Sequence, residues 1–177
     1  MELPEPTPIT AEIARAIGAR HGLPAARFAP LPRVGIVNLI YELGDALVLR
    51  VPRNAPPNLR QARAEALAIP AARAAGVRTP ALVAFDDACD LLPVPYSIVE
   101  RVRGETLGLL DREPADTPQV WRELGHDLAL LHTGVAREGP AGALRTGGPG
   151  ADPRELAEAR AADGWFTGLE VRWLTAW

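Results

Sequence analysis

The chain has 177 residues, 47% of them hydrophobic and 23% charged, which is ordinary for a soluble globular protein and enough for one domain, or one lobe and part of a second. A net charge of -3 with no basic stripe argues against a nucleic-acid partner. The single Cys89 excludes an internal disulfide and a Cys-based zinc site, and it fits a reducing cytoplasm. The first residues, Met1-Glu2-Leu3-Pro4-Glu5-Pro6, are acidic and broken by proline, unlike a signal peptide. No apolar run is long enough to span a membrane.

Thr10 can cap a helix through Arg20, with Ile13 and Ile17 on one face and Gly22 as its stop. Pro24 to Pro32 reads as a connector. A hairpin follows: Leu39 to Leu43, a Gly44-Asp45 turn, then Ala46 to Pro52. Asn54 to Asn58 is expected to be a loop. The helix after it, from about Leu59 to Ala75, should turn Leu67 inward and end at Gly76. Pro70 inside it should kink or split it near Ile69, since proline has no N–H to donate. Ala81 to Phe85 and Tyr96 to Val102 read as two more strands, with a turn-like Asp86 to Asp90 between them.

The second half is helical. Thr117-Pro118 reads as an N-cap with proline in the first turn. The helix runs to His132 and should bury Val120, Leu124, Leu128 and Leu131. Gly139 to Gly150 is expected to be a loop. Asp152 and Glu155 have the spacing of a capping box at the start of a further helix. Trp165, Leu169, Trp173 and Trp177 form a stripe that must pack on something.

Arg50 lies near the end of the second hairpin strand, and Glu65 lies on the helix that follows. Taken singly, Arg50 reads as well as a solvated strand arginine. Glu65 reads as a surface carboxylate paired with Arg60 or Arg63. Their order, hairpin, cation, helix, carboxylate, strand, charged extended segment, is that of a phosphate-binding cation held by a carboxylate from the next helix. The segment Pro95-Tyr96-Ser97-Ile98-Val99-Glu100-Arg101-Val102-Arg103-Gly104-Glu105 supplies the last of these.

From Gly35 to His132 the pattern Gly-x-x-Asn-x-x-Tyr, Leu-Val-Leu-Arg-Val-Pro-Arg, Glu, Pro-Tyr-x-x-x-Glu-x-Val-x-Gly-Glu and Leu-Gly-x-x-Leu-Ala-x-Leu-His resembles the aminoglycoside phosphotransferase family. The resemblance implies an α+β, protein-kinase-like fold. Residues 1–103 would form the N-terminal lobe, an antiparallel sheet with a helix, together with an N-terminal helix and a hinge. Residues 104–177 would supply the first helices of a helical C-terminal lobe. Gly35 to Asn38 would cover the nucleotide phosphates. Arg50 would stand where the family usually has a lysine on the α- and β-phosphates; all 19 cationic side chains here are arginine, so no lysine is available to replace it. Glu65 would pair with Arg50, and Val99 would back the adenine pocket. The Glu100 carbonyl and the Val102 N–H would meet the base edge.

The family's catalytic loop resembles His-x-Asp-x-x-x-x-Asn followed by a metal-binding Asp. His21 precedes Gly22-Leu23, His126 precedes Asp127-Leu128, and His132 precedes Thr133-Gly134, so none fits. His126-Asp127 reads as two polar residues on an exposed helix face, and Asp163-Gly164 as a helix terminus. No catalytic residue and no metal ligand is therefore assigned. The resemblance implies a nucleotide-dependent O-phosphotransferase using ATP or GTP with Mg2+ on a small-molecule hydroxyl acceptor, an antibiotic (hence resistance) or a metabolite. The chain would be its N-terminal portion, inactive as given. The alternative is a non-catalytic kinase-like module that binds nucleotide or a partner.

Overall fold

The computed structural model describes residues 4, 6–23, 28–31, 37–104, 114–135, 153–164 and 166–175. They fall into two compact units, Met1–Leu144 and Arg145–Trp177.

The first unit is built on a five-stranded antiparallel sheet. Its strands are β1 (Phe28–Pro30), β2 (Asn38–Leu43), β3 (Leu47–Pro52), β4 (Leu82–Asp86) and β5 (Tyr96–Glu100), in the spatial order β1-β2-β3-β5-β4. The β2–β3 hairpin forms where alternation places it. Leu43 opposes Leu47, and Gly44 takes a φ of 71°, a left-handed turn conformation that favours glycine. β1 lies within the segment expected to be a connector. Its three residues are too few for alternation to register, and it is a strand because it pairs with β2, with Phe28 opposite Leu43.

Helix α1 (Ala11–Arg20) begins as its sequence requires: the Thr10 hydroxyl accepts from the Ile13 N–H at 3.2 Å. Its Ile17 is fully buried in a cluster with Leu43, Leu49, Val51, Leu92, Val94, Tyr96 and Ile98. Leu49 stands opposite Ile98, so alternate residues of β3 and β5 supply this face. Residues between them, Val48, Arg50 and Val99, belong to the other face.

Around α1 the packing continues as a polar network. The Arg20 guanidinium donates to both oxygens of Asp90 at 2.6 Å and to Asp86 at 2.9 Å. The buried Tyr96 hydroxyl donates to the same Asp86 oxygen at 3.1 Å, and His21 Nε2 lies 3.0 Å from that hydroxyl. Arg20 holds the Asp86 carboxyl below its ordinary range and that of Asp90 down to about 2. Desolvation pushes the Tyr96 phenol well up. Because the folded carboxylates titrate below the unfolded ones, their stabilisation is complete above about pH 4 and is lost as pH falls through the lowered values. Asp86→Asn is expected to lower stability at pH 7 by about 1–3 kcal/mol. At a pH of about 2 it should differ little from wild type, and denaturant titrations at the two pH values check this.

Helix α2 (Pro56–Ala74) starts earlier than expected. Pro56 and Pro57 occupy its first turn, where the missing N–H groups have no partner to lose. It runs unbroken through Pro70. Its end is a Schellman arrangement: Val77 N–H donates to Ala72 O at 3.0 Å and Gly76 N–H to Arg73 O at 2.9 Å, with Gly76 at a φ of 91°. Leu67 is 42% exposed rather than turned inward, and no side chain of α2 is fully buried.

Helix α3 (Pro118–Gly134) has Pro118 in its first turn, but the Thr117 side chain makes no capping bond. The stripe expected to be buried is exposed: Leu124 and Leu128 are both 47% accessible, and Val120 and Leu131 are also exposed. The reason is rotational. Contact with the residues that follow α2 comes from the adjacent stripe of Asp127, Leu130 and Gly134, where a Cβ at Gly76 would lie 3.6 Å from Leu130 and one at Gly134 only 2.7 Å from Ala75 Cβ. Asp127 is thus no solvated residue. Its side chain is 16% exposed and its carboxylate meets Arg78.

The second unit contains α4 (Pro153–Ala162) and α5 (Gly168–Thr175). Asp163-Gly164 closes α4, with Gly164 at a φ of 79°. Thr167 and Glu170 form a reciprocal cap on α5: the Thr167 N–H donates to Glu170 at 2.7 Å, and Glu170 N–H donates to the Thr167 hydroxyl at 3.3 Å. Leu169 is exposed. Asp152, residues 139–150, Trp165, Trp177 and the side chain of Trp173 lie outside the described residues. No described helix is long and apolar enough to cross a membrane.

Candidate functional site

A cavity of about 380 Å³ opens on the sheet face opposite the main core. Leu31, Val48, Arg50, Pro80, Val99, Glu100, Arg101 and Val102 line it. Its size falls in the range of roughly 300–1,000 Å³ typical of small-molecule pockets. Val48 and Val99 stand opposite each other on β3 and β5 and give it an apolar floor.

Arg50 forms one wall. It follows Val48 by two residues, so strand alternation puts both side chains on the same face. Arg50 Nη1 lies 2.7 Å from Glu65 Oε2 on α2, with both side chains about three-quarters buried. One guanidinium nitrogen is thereby fixed, and the remaining N–H groups of the fork stay at the cavity wall. Glu65 also accepts from Gln61 Nε2 at 2.9 Å, one turn back on its own helix.

The opposite rim is the end of β5. Glu100 N–H donates to Ala81 O at 2.9 Å, so the Glu100 carbonyl lies along the same strand edge. The group that a continued ladder would offer it, the Ala81 N–H, donates instead to the Glu100 side chain at 3.2 Å. Pro80, next along, has no N–H at all. This leaves carbonyl acceptor capacity along the strand edge at Glu100, a residue of the cavity lining. Arg101 N–H donates back to Ala46 O at 2.8 Å, and its side chain pairs with Glu42 at 2.9 Å. Arg103 donates to Asp45 O at 3.3 Å. Both arginines thus tie the segment to the hairpin and leave Val102, 69% exposed, at the cavity mouth.

Of the residues singled out from the sequence, Arg50, Val99, Glu100 and Val102 share this cavity, and Glu65 reaches it through Arg50. Asn38 does not line it; it begins β2, paired with Pro52. Gly35 lies outside the described residues. Val48 was missed, although its spacing from Arg50 carries the signal. Leu31, Pro80 and Arg101 reach the site through tertiary packing and have no local signature. Among the described residues, no group of three or more His, Cys, Asp or Glu could hold a metal ion.

No curated protein matches the chain significantly. Among solved structures it is similar to the GDP and kanamycin complex of APH(2")-IIia, with 15% identity and a TM-score of 0.47 over 81% of this chain and 48% of that one. It is also similar to the streptomycin-ATP-APH(2")-IIa ternary complex, with 13% identity and a TM-score of 0.49 over 96% of this chain and 57% of that one. The chain therefore spans about half the length of these two structures. A profile described as APH, phosphotransferase enzyme family, matches residues 29–177. With most of its length matched, the chain belongs to the phosphotransferase enzyme family.

Proposed function

We propose that this chain carries the nucleotide-binding part of an O-phosphotransferase that transfers the γ-phosphoryl group of ATP or GTP to a small-molecule hydroxyl. The observation that carries this is the Arg50–Glu65 ion pair, 2.7 Å long, at the wall of a cavity whose other rim is Glu100–Val102. A purine would lie over the floor of Val48 and Val99. Its edge would accept from the Val102 N–H and donate to the Glu100 carbonyl. Arg50, steadied by Glu65, would hold phosphate oxygens at the other end. In this scheme residues 1–103 act as the nucleotide lobe and residues 104–177 open the second lobe. The family membership supports it.

The transfer would form a bond from the acceptor oxygen to the γ-phosphorus. The bond to the β–γ bridging oxygen breaks, nucleoside diphosphate leaves, and the hydroxyl proton goes to a base. Magnesium, when bound, would neutralise charge on the phosphates. Among the described residues no cluster fits it as ligands. Asn38, at the start of β2, would sit at the end of the loop over the phosphates. The acceptor, antibiotic or metabolic, would be chosen by the second lobe.

Calorimetric titration with Mg·ATP and Mg·GTP tests the nucleotide part. Saturable one-to-one binding of at least one is expected, without phosphate transfer to aminoglycosides by the 177-residue chain. Failure of both nucleotides to bind would overturn the reading. Turnover above a no-enzyme control would show that catalytic groups lie within these residues.

A further inference from the structure

Helix α2 carries Glu65, and its apolar anchorage is partial, with Leu59 near its start packed against the main cluster. None of its side chains is fully buried, its N-cap residue Ala55 makes no side-chain bond, and Pro70 brings no N–H to its ladder. Its other tethers are polar. Glu65 meets Arg50, Arg63 forks onto Asp87 at 2.8 and 2.9 Å, and Arg73 donates to Thr79 O.

Beyond its end, Arg78 reaches α3. Its Nη1 donates to Glu123, while Nε and Nη2 reach Asp127 at 3.2 and 3.1 Å. The two carboxylates are one helical turn apart, so a single guanidinium spans both. Beside this fork the backbones close up, because Gly134 leaves no room for a Cβ against Ala75.

We propose that Arg78, with Glu123, Asp127 and Gly134, is a latch that positions α2 and so keeps Glu65 on Arg50. Arg78 is a positioning residue: it lies outside the cavity lining and acts through Glu65. The proposal rests on the nucleotide reading for its effect on affinity, but not for its effect on α2. With its apolar anchor, Leu59, near its start, α2 relies on contacts at its other end to fix its orientation. Loosening the latch should free Glu65 to leave Arg50, whose fork would then lose its fixed orientation. The carboxylate fork and the glycine contact make this one junction by two independent means, one electrostatic and one steric.

The test compares wild type, Arg78→Ala, Arg78→Lys and Gly134→Ala by amide hydrogen exchange and by Mg·ATP titration, each also in a Glu65→Ala background. Arg78→Ala and Gly134→Ala are expected to speed exchange in α2 while the amides of β3 and β5 stay protected, which separates the effect from global unfolding. Mg·ATP affinity should fall roughly fivefold, with nearly no further fall once Glu65 is already alanine. Arg78→Lys, which keeps the charge but not the fork, should recover part of it. Unchanged α2 exchange in both variants, or an equal loss of affinity with and without Glu65, would overturn the latch. If wild type binds no nucleotide, the proposed function fails, and the exchange data alone still decide the latch.

Discussion

Arg50→Ala is expected to weaken Mg·ATP binding by roughly 10- to 100-fold, the equivalent of about 1.5–3 kcal/mol for hydrogen bonds to a charged group. The side chain lies on the cavity wall and is aimed by Glu65 at 2.7 Å, so its loss removes both a cation and a fixed direction. Arg50→Lys should keep most of the affinity, because a point charge still attracts the phosphates, while losing the forked geometry. Glu65→Gln should sit between the two, since Arg50 stays but is less firmly aimed. Global stability should change by about 1 kcal/mol or less in each case, because the pair is partly open to water at the cavity wall. A binding loss with a nearly unchanged denaturation midpoint is the expected pattern, and calorimetry beside denaturant titration checks it.

Leu49→Ala should instead strike the fold, at a cost of about 2–5 kcal/mol. Leu49 is fully buried in the cluster joining α1 to β3 and β5, opposite Ile98, and a close-packed core relaxes only partly into a cavity. Against a typical domain stability of about 5–15 kcal/mol this is a large fraction. Leu67→Ala is the control. Leu67 is half-exposed on α2, so its truncation should stay within about 0.5 kcal/mol. Denaturant midpoints of the two variants distinguish a core centred on α1 and the sheet from one centred on α2.

The contrast between those two leucines shows what the sequence could convey. Thr10 caps α1, Gly44 turns the hairpin and Gly76 ends α2, because each has a local signature that physics enforces within a few residues. The pairing of Arg50 with Glu65 was legible from order along the chain, not from either residue alone. Periodicity, by contrast, states that a helix has an apolar face and not what covers it. Leu67, Leu124 and Leu128 sit on such faces and are exposed all the same. Asp127 reads as solvated from its place in α3, yet its partner Arg78 comes from the segment after α2. β1 is a strand only by virtue of its neighbour, and Leu31, Pro80 and Arg101 are site residues only by virtue of the fold.

The proposed nucleotide site is the cavity between Arg50 and the Glu100–Val102 segment. Backbone amide shifts of the labelled chain, followed by NMR through a titration with a non-hydrolysable Mg·ATP analogue, test it most directly. Saturable shifts centred on Val48, Val99, Arg101 and Val102, together with the Arg50 side-chain resonance, are expected, with the α1 amides unmoved. Saturating shifts that leave those residues untouched, or no shifts at millimolar nucleotide, would contradict it.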